Sequence, residues 1–375
     1  MALSHSPKIV TDGLVFMYDT GDGKSYKGEP TTNYGPASFG DWGTEGTAER
    51  IATGNTYKGQ PTYNCRTEVG VTYKGIDKTV TGLRTAAGSS GTVTVSCMIR
   101  NNNSTAYNTS AYIGHDFSGN ISIAANSDWQ KIQWTVNQSS MNNDYVEFRP
   151  YTNNASIYLE MTMPMVEVNK GHATQFVDGT RSTTQGLIDR TGNTTIDLSN
   201  ASFDSNAQMT FDGTNDYAEV ADQNSLDLTT AMSFEFVVKP DSSQSNPYPR
   251  LIDKSVYLLH LTSTSPFGVY QNIYTSGGLR QTGISSVVTA GNWNHIVCTY
   301  DGQYGKIYVD AELVKTIDFG SVLACNTNSS SLKIAGDGTT NRPLNGEMPI
   351  SKIYNKVLTA AEVLQNYNAF KSRFV

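Results

Sequence analysis

Three kinds of residue in this chain could do chemistry: carboxylates, histidines and aromatic rings. Glycoside hydrolysis needs two carboxylates a few ångströms apart. The alternation in Ser233-Phe-Glu-Phe236 puts Glu235 on the opposite strand face from Phe234 and Phe236, with no second carboxylate on that strand. Glu235 therefore reads as a solvated strand carboxylate. A nucleophile triad has no better basis. There is no Gly-x-Ser-x-Gly elbow, and the histidines His5, His115, His172, His260 and His295 are isolated from one another. His295, between Trp293 and Ile296, reads as a hydrogen-bonded structural residue. Phosphate loops, zinc spacings and dinucleotide fingerprints are missing. The expectation is a protein with no catalytic residues and no required cofactor.

Aromatic residues suggest binding instead. A sugar site needs exposed rings to stack on pyranose faces, flanked by amide and carboxylate hydrogen-bonding groups. Trp42, Tyr57, Tyr63 and Tyr73 fall in a polar, turn-rich stretch, and Tyr248, Tyr270, Tyr274 and Tyr304 form a second such set. With 21 tyrosines in the chain, similar groupings also arise without a site. Trp129, Trp134 and Trp293 read as core.

These residues have to be positioned by short strands. The chain has 375 residues, 38% hydrophobic and only 16% charged, with Gly, Ser, Thr, Asn and Tyr abundant. That mixture favours strands and turns over helices. Two antiparallel β-sandwiches and one C-terminal helix are expected. Thr92-Val-Thr-Val-Ser-Cys-Met-Ile99 alternates strictly, and Gln130-Lys-Ile-Gln-Trp-Thr-Val136 is similar. Further strands are expected at Arg66 to Tyr73, Ala111 to Ile113, Tyr145 to Tyr151, Ile157 to Val168, Met232 to Val238, Arg250 to Leu261, Gly268 to Tyr274, Trp293 to Tyr300 and Lys306 to Val314, and Met209 to Val220 reads as a strand, a tight polar turn at Asp212-Gly213 and a second strand. Thr359-Ala-Ala-Glu362 is a capping box, and Val363, Tyr367 and Phe370 form one helical face.

The formal charge of −7 excludes nucleic acid and anionic membrane as natural partners. No apolar run approaches ~18 residues, so no membrane insertion is expected. Met-Ala-Leu-Ser-His-Ser-Pro has neither the basic nor the apolar region of a signal peptide. Cys65, Cys97, Cys298 and Cys325 show no paired spacing, which predicts free thiols made in a reducing compartment.

Residues 183–375 resemble the concanavalin-like jelly roll of the laminin-G type. The likeness rests on Met209-Thr-Phe-Asp-Gly-Thr-Asn-Asp-Tyr-Ala-Glu-Val220, on Asn292-Trp-Asn-His-Ile-Val-Cys-Thr-Tyr-Asp-Gly302 and on the Leu-Thr-x-x-Glu-Val ending. Residues 33–182 resemble the carbohydrate-binding-type sandwiches of tailed-phage structural proteins, through the strand ending at Val168 and the exit Ala173-Thr-Gln-Phe-Val-Asp-Gly-Thr-Arg181. In proteins of this kind the jelly roll often opens with a strand such as Gly13-Leu-Val-Phe-Met-Tyr-Asp19. Residues 1–32 are therefore predicted to supply a strand and linker to the jelly roll, with 33–182 inserted; an independent N-terminal anchor is the alternative.

The resemblance implies a non-enzymatic virion surface protein of a tailed, cyanophage-like bacteriophage: a head decoration, head fibre or tail-associated fibre. It would be made in the host cytoplasm, would assemble with capsid or tail proteins and with copies of itself, and could attach to host surface glycans. It also implies calcium, through Asp212, Asn215, Asp216, Asp301 and Asp337, although the same residues suffice as turn formers. Sandwich glucanases carry a Glu-x-Asp-x-x-Glu-like run, which this sequence lacks. A bacterial lectin-like adhesin and a polysaccharide depolymerase are the rival readings.

Overall fold

The computed structural model describes residues 8–67, 75–152, 154, 156–339 and 341–374. The chain is nearly all β, and it forms two compact units. One unit comprises residues up to 29, 183–204 and 208 onward; the other comprises 30–182 with 205–207.

The first unit is a two-sheet jelly roll. Its eight-stranded sheet runs Ser202–Phe203, Met209–Asp212, Asn345–Tyr354, Met232–Pro240, Asn294–Tyr300, Tyr304–Val309 and Glu312–Asp318, with Leu14–Asp19 also paired to Asn345–Tyr354. Its seven-stranded sheet runs Ile196–Asn200, Tyr217–Val220, Leu332–Ile334, Arg250–Asp253, Tyr257–Leu261, Phe267–Thr275 and Gly278–Val288. Alternation fills the space between the sheets. Phe234, Phe236 and Val238 enter the core from one strand, and Leu259, Leu261, Val269 and Ile273 join the same core. Each such side chain contributes about 1.5–3 kcal/mol on burial.

Two expected strands are each a hairpin. The stretch 250–261 turns at Ser255, where φ is +66°, and 304–318 turns at Asp310 and Ala311, both with positive φ. The helix Ala360–Phe370 has the expected capping box, with the Thr359 hydroxyl accepting from the Glu362 N–H. Its buried positions are Val363, Asn366 and Phe370, so a polar residue sits in the middle of the apolar face.

The second unit holds two five-stranded sheets. One runs Ser127–Asn137, Thr92–Asn101, Leu159–Val168, Gln60–Arg66 and Glu49–Tyr57. The other runs Gly43–Thr44, Ile76–Thr79, Tyr145–Tyr151, Tyr107–Ile113 and Asp116–Ile123. Trp42, Val95, Cys97, Ile99, Trp134 and Phe148 share its core. The strand expected to begin at Arg66 instead ends there, and its expected remainder to Tyr73 lies largely outside the described residues. A short helix, Leu83–Ala87, was not expected. Its N-terminus is capped from far along the chain, where the Asp144 carboxylate accepts from the N–H groups of Gly82 (2.8 Å) and Arg84 (2.9 Å).

Candidate functional site

Four neighbouring strands of the seven-stranded sheet bring one row of side chains together on the face away from the core. Arg250 lies opposite His260, His260 opposite Tyr270, and Tyr270 opposite Gly283. At about 4.8 Å between strands the row spans about 14 Å, the scale of a short oligosaccharide. The rings of His260 and Tyr270 are parallel, with centroids 5.2 Å apart and 4° between planes. Tyr248 stands edge-on to His260 at 5.2 Å. Gly283 is required here, because a Cβ at that position would lie 2.2 Å from the Tyr270 ring. Without one, the edge of the ring packs directly against Gly283 on the neighbouring strand.

A second row adds amides. Asn272 lies opposite Gln281, whose Nε2 donates to Asn272 Oδ1 at 2.9 Å. With Thr262 these residues line an open depression of about 480 Å³. Its floor is aromatic and its walls carry amide, hydroxyl and guanidinium groups. That combination suits a polyol with one apolar face. None of the seven lining residues is a carboxylate, so the depression lacks the pair that glycoside hydrolysis uses.

His260 is 5% exposed, and its Nδ1 lies 3.0 Å from the Leu261 carbonyl. That bond makes Nδ1 the donor and leaves Nε2 as an acceptor. Burial pushes the imidazole down to about 4, and the Arg250 and Arg342 guanidiniums push in the same direction. The ring is therefore neutral near pH 7. Arg250 is held by Asp253 (Nε to Oδ2 3.0 Å), while the Arg342 guanidinium lies 5.0 Å from the centre of the Tyr248 ring.

The eight-stranded sheet also has a polar cluster on its outward face, but that cluster is sealed. Glu235 is 0% exposed, which corrects its reading as a solvated carboxylate. It lies opposite Lys352 in the ladder, and Lys352 Nζ donates to Glu235 Oε1 at 2.9 Å. His295 Nε2 reaches the same oxygen at 3.0 Å. Asn366, from the C-terminal helix, donates to Glu235 Oε2 at 2.6 Å and accepts from the Val10 N–H at 2.7 Å. Burial acts to raise the Glu235 pKa, but the Lys352 ammonium and His295 outweigh it and hold the carboxyl down to about 2. This cluster joins a strand, a helix and the chain near Val10.

The residues singled out by sequence are scattered. Tyr248 and Tyr270 meet in the depression, and Tyr274 is exposed farther along the strand of Tyr270. Tyr304 belongs to the other sheet. Trp42 is not an exposed platform: it is 2% exposed, its Nε1 donates to the Pro36 carbonyl at 3.1 Å, and its ring packs on Phe39 and Phe148. The one-turn helix Phe39–Asp41 just before it turns the ring inward. Tyr63 is half-buried, with its hydroxyl 3.0 Å from Ser38 Oγ. Tyr57 stacks on Trp129 at 4.6 Å, so Trp129 is a half-buried surface ring and not core. Trp293 is likewise half-buried, whereas Trp134 is core. Tyr73 lies outside the described residues.

The calcium candidates make turns. Asp212 Oδ1 accepts from the Thr214 N–H, and Asp216 accepts from the Asp212 N–H and the Ser202 hydroxyl. Asp301 accepts from the Gln303 N–H, and Asp337 from the Thr339 N–H and hydroxyl. Asn215 sits in the exposed turn between Asp212 and Asp216. Among the described residues no group of three or more His, Cys, Asp and Glu side chains comes together.

Sequence alone missed His260, Arg250, Asn272, Gln281, Gly283 and Arg342. Tyr257-Leu-Leu-His-Leu261 does show His260 on the face opposite Leu259 and Leu261, and Tyr270 and Asn272 alternate in the same way. The missing signal was strand register.

Residues 212–364 match the family model of the Concanavalin A-like lectin/glucanases superfamily, Laminin_G_3, which fixes this unit as a concanavalin-like jelly roll. Among solved structures, the botulinum neurotoxin serotype G binding domain is 15% identical with a TM-score of 0.41, covering 49% of this chain and 48% of that one. The serotype D binding domain is 12% identical with a TM-score of 0.39, covering 50% and 49%. The chain thus spans about half the length of these structures, and at such scores the likeness adds nothing to the assignment of fold or function. No curated protein sequence matches the chain.

Proposed function

We propose that this chain is a non-enzymatic glycan-binding protein displayed on the surface of a tailed-phage virion, with the depression around Tyr270 as its sugar site. The supporting observation is the row Arg250–His260–Tyr270–Gly283, in which the Tyr270 ring stacks on His260 and packs against Gly283 on an open sheet face beside amides. A ring placed in this way offers its face to the C–H side of a pyranose. The non-catalytic reading is supported by the chemistry of the seven lining residues and by the burial of Glu235 beneath the C-terminal helix.

The virion placement rests on the sequence resemblance of residues 33–182. It is compatible with four buried, free cysteines, which suit assembly in a reducing cytoplasm. Assembly into many copies would make a weak single-site affinity sufficient for attachment. Calcium at the turn carboxylates would be structural; a rise in melting temperature on adding calcium, reversed by a chelator, is the test.

Two experiments test the function. The intact protein is applied to a glycan array beside Tyr270→Ala. Captured glycans that the variant loses support the site, and an array with no captured glycan rejects it. Antibody labelling of purified phage particles then tests the placement. Label on head or tail supports it, and unlabelled particles in cultures that contain the protein reject it.

A further inference from the structure

We infer that the sugar taken by this depression is acidic, a carboxylated residue such as a hexuronate, and that Arg342 reads its charge. This rests on the proposed glycan function and narrows it.

The argument is a charge balance around the row. Arg250 and Arg342 are the two cations beside it; the Arg250 backbone N–H donates to the Arg342 carbonyl at 3.0 Å, so the loop carrying Arg342 lies beside the Arg250 strand. Arg250 is neutralised by Asp253, at 3.0 Å, and its Nη1 is turned back to the Tyr248 carbonyl at 3.3 Å. Arg342 has no carboxylate within ion-pair distance among the described residues. Its guanidinium is instead held over the Tyr248 ring, itself 46% exposed at the edge of the depression. None of the seven lining residues is acidic, and His260 contributes no charge near pH 7. One uncompensated positive charge therefore stands at the rim of an otherwise neutral site.

A guanidinium held on a ring is pre-oriented, and its planar fork matches a carboxylate in a two-point contact. A sugar seated on Tyr270 would place its ring hydroxyls toward Asn272 and Gln281 and its carboxylate toward Arg342. A charged hydrogen bond of this kind is worth about tenfold to a hundredfold in affinity. A neutral sugar would leave that charge unused.

The test is calorimetric titration of the intact protein with oligogalacturonate, alginate and hyaluronan oligosaccharides, each beside its carboxyl-reduced neutral counterpart, together with the neutral glycans captured on the array. The expected result is that at least one acidic member binds tenfold or more tightly than its neutral counterpart, with the gap shrinking at high salt. Arg342→Gln should remove the gap, and Arg342→Lys should restore part of it. Equal binding of acidic and neutral members, or a gap that survives in Arg342→Gln, overturns the acidic preference while the glycan function stands. If nothing binds, acidic or neutral, both are rejected. A near-ultraviolet spectrum matching wild type keeps loss of fold separate from loss of charge.

Discussion

The outward faces of the two jelly-roll sheets carry similar residues put to opposite uses. One face holds Glu235, His295 and Lys352; the other holds His260, Tyr270, Asn272 and Arg250. On the first, the C-terminal helix and the chain near Val10 close over the polar groups, which bond one another. On the second, Tyr248, Tyr270 and Gln281 reach an open surface, with His260 and Asn272 buried beside them. What separates them is whether the hydrogen-bonding capacity is consumed within the fold. A buried carboxylate with four partners, Lys352, His295, Asn366 and Tyr354, holds elements together, whereas an open row with spare donors and an aromatic ring can accept a ligand.

The largest effect that would sharpen this contrast is on the sealed face. Glu235→Ala leaves the Lys352 ammonium buried without its partner, which costs about 3–5 kcal/mol. Urea denaturation should show the jelly-roll transition moved to lower denaturant by that amount. A near-normal midpoint would mean that the cluster does not hold the helix to the sheet.

Acid should then separate the faces. His260 sits at about 4 instead of 6.5, so the unfolded chain binds its proton first. Its stabilising contribution is full above pH 6.5 and is lost as pH falls toward 4. Glu235 sits at about 2 instead of 4.5, so its contribution is full above pH 4.5 and is lost as pH falls toward 2. Stability measured against pH should fall in two successive windows. His260→Asn should flatten the upper window and Glu235→Gln the lower; an upper window unchanged in His260→Asn would break the assignment.

Gly283→Val should act on binding by moving Tyr270 rather than by touching a sugar. Losing one stacking ring costs about 0.5–1.5 kcal/mol, up to roughly tenfold in affinity, and titration should show a loss similar to that of Tyr270→Ala. Retained affinity would show that the flat ring is not what the ligand uses. The smallest effect is expected of Tyr274→Ser, an exposed position outside the depression. Stability should change by less than about 0.5 kcal/mol and affinity not measurably.

Much of the fold was legible from local signals. Strict alternation at Thr92–Ile99, the capping box at Thr359 and the apolar positions of Met232–Val238 all appear in the structure where the sequence puts them. The strand Leu14–Asp19 could be matched to a jelly-roll opening because Gly13-Leu-Val-Phe-Met-Tyr-Asp19 resembles the opening strand of such proteins. The failures have a common cause in long-range partners. Leu83–Ala87 is capped by Asp144, so its start has no nearby signal. The hairpin Glu49–Tyr57/Gln60–Arg66 is polar and largely exposed on its first strand, and Gly278–Val288 mixes Gly, Gln, Thr and Ser, so neither alternates clearly. That second strand supplies Gly283 and Gln281. Without it the row could not be assembled, although Tyr248 and Tyr270 were both in view.

The most direct measurement pairs one variant from each face. Tyr270→Ala opens the row, and Tyr367→Ala removes a ring packed on His295 at 5.6 Å under the helix. Both are titrated with the glycan that the wild-type protein captures best. Affinity should fall by up to about tenfold in Tyr270→Ala and stay at the wild-type value in Tyr367→Ala. Wild-type affinity in Tyr270→Ala, or a loss confined to Tyr367→Ala, would place the ligand elsewhere and contradict the division of the two faces.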